Sequence, residues 1–168
     1  YGLLGPNGAG KTTTFYIIAG LVKPEKGNIY LHDKDISNLP MHKRSILGIK
    51  YLPQEPSVFQ GLTVYENLMG LAELSFKNKK DIKEFIEISI EEFGLSEILN
   101  LKGRQLSGGQ RRKVEIARTL AAKPKLILMD EPFAGIDPIA VEDIKNVLKK
   151  LAIKNIGVLI TDHNVRET

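Results

Sequence analysis

Two hydrophobic rhythms alternate along the chain. Short apolar runs at Gly2-Leu3-Leu4, Ile46 to Leu52, Lys125 to Met129 and Gly157 to Thr161 read as strands. The first reads as the end of a buried strand. The run to Met129 has the unbroken character of a parallel strand covered on both faces. Asn28 to His32 alternates apolar and polar as a half-buried strand, and Asp33 to Asn38 carries turn residues. Between these runs the spacing lengthens to that of helices. Phe15, Ile18, Ala19 and Val22 share one helical face, and Pro24 in the turn Lys23 to Gly27 is expected to stop it. Pro40 opens a short helix through Ser45. Thr63 and Glu66 spell a capping box for a helix reaching Leu74. Asp81 is expected to cap a helix with the stripe Ile82, Phe85, Ile86, Ile90 and Phe93, ended by Gly94. Further helices carry Val114, Ala117, Leu120 and Ala121, then Ile144, Val147, Leu148 and Leu151 after Pro138.

Strands alternating with helices predict an α/β fold, a parallel sheet with ligands at the strands' carboxyl ends. Residues 62–123 are helix-rich. One domain is expected, with 1–61 and 124–168 forming the α/β core and 62–123 an inserted helical subdomain. The chain opens on Tyr1 inside an expected strand and closes on Arg166-Glu167-Thr168 in mid-element, so it is read as a fragment truncated at both ends.

The strongest chemical signal is Gly5-Pro6-Asn7-Gly8-Ala9-Gly10-Lys11-Thr12, which fits G-x-x-x-x-G-K-[ST]. It lies between an apolar run and a helix, as the phosphate loop of a P-loop NTPase must. Glycines let successive backbone N–H groups turn toward an anion at the positive end of the helix. Lys11 adds a mobile charge for the outer phosphates, and the Thr12 hydroxyl is placed to ligate Mg²⁺. A structural glycine turn would need neither. Asp130 and Glu131 end the buried run Leu126 to Met129. One carboxylate there can face the metal and the next can activate water, although Asp-Glu-Pro also suits a plain strand exit. Leu106-Ser107-Gly108-Gly109-Gln110 precedes a helix that Ser107 can cap, which makes a second anion site. One nucleotide does not need two such sites unless the second serves another subunit.

Composition narrows the picture without changing it. The chain has no cysteine, which excludes disulfides and thiolate metal sites. Apolar runs are too short to span a membrane, and no signal peptide is visible. Net charge is +4, but the lysines are scattered, and Lys77 to Lys80 and Arg111-Arg112-Lys113 lack interleaved aromatics. A solvated surface is the simpler reading, and nucleic acid is not expected.

In order along nearly the whole chain, these motifs resemble the ATP-binding cassette ATPases. The resemblance rests on Gly5 to Thr12, Gln54 after Leu52, Leu106 to Gln110, Leu126 to Glu131, Ala134-Gly135-Ile136-Asp137 and His163. It implies a head-to-tail dimer holding two ATP with Mg²⁺. Each nucleotide would be held by one subunit's loop, including Thr13, and closed by the other's Ser107, Gly108, Gly109 and Gln110. Glu131 would activate water, His163 would contact the γ-phosphate, and Gln54 would join Thr12 and Asp130 around the metal. Asp137 would link the two sites. The adenine-stacking aromatic would lie upstream of Tyr1. Leu39 to His42, Tyr51 to Phe59, Asp130 to Asp143 and Ile160 to Thr168 further resemble the subgroup that serves bacterial lipopolysaccharide export, although Gln110 stands where close relatives often carry an acid. That resemblance implies work at the cytoplasmic face of the inner membrane beside transmembrane permease subunits, with Phe59 lining the groove for a permease helix. A loop aromatic packed on its own subdomain is the alternative for Phe59. A branched-chain amino-acid importer is the nearest rival function. A translation or DNA-repair ATPase is a more distant one, and the short gap between loop and signature leaves no room for the long coiled coil of repair relatives.

Overall fold

The computed structural model describes residues 1–6 and 8–162. Four parallel strands form the main sheet in the order β1-β6-β5-β4, with β1 Gly2–Leu4, β4 Ile49–Leu52, β5 Leu126–Asp130 and β6 Gly157–Asp162. The central β5 is buried from Ile127 to Asp130, as its unbroken apolar run requires. β1 departs from expectation: among the described residues it is an edge strand, and Leu4 is exposed.

Helix α1, Lys11–Ala19, leaves the glycine-rich loop and buries Phe15 and Ala19 against Ile49 and Leu128. It ends earlier than Pro24. Gly20 takes a left-handed conformation and closes it, which leaves Val22 exposed outside the helix. Residues 28–38 form a small antiparallel hairpin, β2 Tyr30–Leu31 with β3 Lys34–Asp35, in place of one strand and a turn. Helix α2, Met41–Ile46, is followed by Gly48 at φ 104°, so β4 begins three residues later than the apolar run suggests.

Helices α3, Val64–Ser75, α4, Lys79–Phe93, and α5, Gly108–Leu120, pack together, and α5 also packs on β4 and on α6, Pro138–Ile153. The capping box of Thr63 and Glu66 forms as expected. The cap of α4 is Asn78, whose side chain accepts from the Asp81 amide; Asp81 sits one turn inside, near the positive end of the helix. One apolar core runs from Val64 and Leu68 through Val114 and Ile116 to Met129 and Ile144, so α5 is shared between the helices and the sheet.

Candidate functional site

Gly8 and Gly10 both have φ near +84°, a conformation costly for any residue with a Cβ, and Gly10 caps α1. The loop therefore opens onto the positive end of α1. Gly8, Gly10, Lys11, Thr12 and Thr13 line an open cavity of about 410 Å³, joined there by Gln54 and Glu131. These residues come from three distant stretches. Lys11 is buried, and its ammonium donates to the carbonyls of Gly5 at 2.7 Å and Pro6 at 3.0 Å. A phosphate bound in the loop would compete for that ammonium. The Ala9 amide bonds the Pro6 carbonyl and closes the turn.

Asp130 is buried at the tip of β5 and gathers three hydroxyls. Thr12 Oγ1 and Tyr51 Oη stand 3.4 Å from its two carboxylate oxygens, and Thr161 Oγ1 donates to Oδ1. Burial, and then the Asp130 charge, pushes the Tyr51 phenol above its ordinary range, so it stays a donor. Glu131 follows at φ 43°, a strained value for a residue with a side chain, and its amide bonds both the carbonyl and the hydroxyl of Thr161.

The signature segment lies beside this site. Ser107 Oγ accepts from the Gln110 amide, and Gln110 Oε1 accepts from the Ser107 amide. That box leaves the amides of Gly108 and Gly109, which have no intrahelical acceptor, at the positive end of α5. Gly109 has a packing reason too: a Cβ there would meet Ala140 Cβ at 2.4 Å, so α5 and α6 cross closely. Gly108 lines a second, smaller cavity of about 120 Å³ with Gln54, Glu131 and Gly135, whereas Ser107 lines neither cavity. Asp137 caps α6 by accepting from the Ala140 amide. Asn7 and His163 lie outside the described residues.

Charge patterning missed one feature. Arg112, which the sequence places in a solvated basic cluster, is 5% exposed and paired with Glu115, itself 3% exposed, at 3.0 Å. Its guanidinium also donates to the Pro53 carbonyl, and Glu115 accepts from the Ser57 amide at 2.5 Å. The pair thus grips the Gln54 segment at both ends. The available signal was opposite charge at i, i+3 on one helix. Farther along, Arg118 bonds the Ser57 carbonyl and Asn67 Oδ1, and its guanidinium lies 4.8 Å from the centre of the Phe59 ring. Phe59 itself is 52% exposed, and fully buried Asn67 bonds both its amide and its carbonyl. The ring thus contacts its own chain and remains half open to solvent.

Among the described residues no helix is long and apolar enough to cross a membrane. The ABC transporter family model matches residues 1–134. The lipopolysaccharide export system ATP-binding protein LptB of Haemophilus influenzae is 58% identical over 172 residues, covering 99% of this chain and 70% of that protein. A nucleotide-free ATP-binding cassette from an ABC transporter superposes with a TM-score of 0.83 at 34% identity, over 98% of this chain and 70% of the other. A dimeric, post-hydrolysis ATP-binding cassette bound to ADP and phosphate superposes with a TM-score of 0.82 at 28% identity, over 99% and 75%. Loop, acidic strand tip and signature on this fold, together with these likenesses, establish that the chain belongs to the ABC transporter family as an ATP-binding cassette ATPase.

Proposed function

We propose that this protein hydrolyses ATP between two head-to-tail copies to drive lipopolysaccharide export through transmembrane permease subunits at the cytoplasmic face of the inner membrane. The observation that carries the reading is the cavity that brings Lys11 and Thr12 together with Gln54 and Glu131. The export assignment rests on the identity to LptB proteins, which is 55% to that of Escherichia coli as well.

In this reading the amides of Gly8 to Thr12 and the Lys11 ammonium hold the triphosphate, and Thr13 lines the same wall. Glu131 takes the proton of the attacking water, and His163 contacts the γ-phosphate. The site fits Mg²⁺: Thr12 Oγ1 and Asp130 lie 3.4 Å apart, and Gln54 adds an amide oxygen in the same cavity. The ion would be held jointly with the phosphate oxygens. When bound, it would neutralise charge on the phosphate oxygens. Ser107, Gly108, Gly109 and Gln110 would close the partner copy's nucleotide, with Asp137 linking the two sites. Residues 62–123 would act as the helical subdomain that carries this signature, and Phe59 would face the permease.

Size measurement with ATP present tests the dimer. Ser107→Arg is expected to keep the monomer folded and abolish ATP-dependent dimerisation in a Glu131→Gln background. A nucleotide-dependent dimer that persists in the variant would refute the cross-subunit arrangement.

A further inference from the structure

The two acidic residues proposed to serve the nucleotide stand at the tip of β5, and a neighbouring strand holds Asp130 by its carboxylate and Glu131 by its backbone amide. Thr161 on β6 pairs in register with Asp130, and in neighbouring parallel strands such partners point to the same face. Its side chain is fully buried. The hydroxyl donates to Asp130 Oδ1 and accepts from the Glu131 amide at 3.2 Å, while the Thr161 carbonyl accepts from that same amide at 3.1 Å. A hydroxyl has one proton and two lone pairs, so giving the proton to Asp130 fixes its rotor and still leaves an acceptor for Glu131.

The rival hydroxyls do not share this task. Thr12 and Tyr51 approach Asp130 only to 3.4 Å, beyond the usual range for O–H···O bonds. Glu131 needs outside support, because a non-glycine residue at φ 43° persists only where its surroundings enforce it. Packing does not explain the hydroxyl, since valine has the same β-branched shape without a polar atom that must find a partner when buried.

We infer that Thr161 is a positioning residue for both Asp130 and Glu131, a single hydroxyl that fixes the orientation of the metal-facing carboxylate and the backbone of the proposed general base. The inference rests on the proposed roles of those two carboxylates. One consequence is that replacing the hydroxyl alters metal use and turnover together while leaving phosphate-loop affinity for metal-free nucleotide intact.

The test compares Thr161→Val with Thr161→Ser in the intact protein. ATPase activity is titrated against Mg²⁺, and a fluorescent ATP analogue is bound in the presence of EDTA. T161V is expected to raise the half-saturating Mg²⁺ concentration about tenfold and lower kcat about tenfold, with EDTA-condition binding within about twofold of wild type. T161S, which restores the donor, is expected to lie within about threefold of wild type on both measures. Unchanged Mg²⁺ dependence and kcat in T161V, or a T161S as impaired as T161V, overturns the inference. If T161V does not fold, T161A, which also lacks the donor, is read against the same expectations. Glu131→Gln run alongside separates the two levels. Wild-type turnover there refutes the underlying site, whereas an inactive E131Q beside a normal T161V refutes only the role of Thr161.

Discussion

Arg112→Met tests whether the buried ion pair on α5 holds the Gln54 segment. Methionine keeps an unbranched stem and good helix propensity, so the change removes charge and donors more than volume. Three bonds go: to Glu115 Oε2 and the Pro53 carbonyl at 3.0 Å, and a longer one of 3.4 Å to the Asp130 carbonyl. Glu115, 3% exposed, is left without its cation. Breaking a buried pair by removing one partner costs about 3–5 kcal/mol. That is a large share of a typical total of roughly 5–15 kcal/mol. For a chain of this size it corresponds to a fall of about 6–20 °C in Tm. Urea unfolding of wild type, R112M, Glu115→Gln and the double variant gives the coupling. Glutamine is neutral and still accepts from the Ser57 amide, so R112M/E115Q is expected to be more stable than R112M alone. Because Pro53 directly precedes Gln54, turnover is expected to fall more than nucleotide affinity. A loss below about 1 kcal/mol in R112M, or no recovery on adding E115Q, would refute the reasoning.

Other outcomes follow from the same geometry. Glu131→Gln is expected to keep ATP binding and lower turnover by roughly 10²–10⁴, measured by phosphate release; turnover like wild type would remove Glu131 as the base. Lys11→Ala is expected to weaken nucleotide binding itself, and unchanged affinity by calorimetry would contradict the loop assignment. Phe59→Ala is expected to impair assembly with the permease subunits while sparing isolated ATPase activity, since the ring is half exposed and lies against the Arg118 guanidinium, away from the nucleotide cavity. A pull-down with intact partner binding would count against its role.

Elements with a redundant local signal are legible in the amino-acid sequence. The α3 capping box, the stripe on α4 and the unbroken run of β5 each satisfy two rules at once. The sequence misleads where one rule has a competitor. Pro24 signals a helix stop, but Gly20 reaches the left-handed conformation first. Asp81 and Asn78 are both good caps, and only the path of the chain chooses Asn78. The apolar start of Gly2 to Leu4 says nothing of position in the sheet, and among the described residues β1 lies at an edge. In the site, motif spacing names Lys11, Thr12, Gln54 and Glu131, which line one cavity. It cannot name Thr161 or Tyr51, because their link to Asp130 exists only through strand order. Arg112 and Glu115 are hidden for another reason. Arg112 sits between Arg111 and Lys113, charged residues are expected outside, and what buries the pair is its tertiary contact with Pro53 and Ser57.

The most direct measurement is a crystal structure of the Glu131→Gln protein grown with ATP and Mg²⁺. The expected result is two nucleotides, each lying on the Lys11 loop of one copy and touching Ser107 and Gly108 of the other. Nucleotide bound wholly within one copy, with Ser107 of the second copy remote from it, would contradict the shared site.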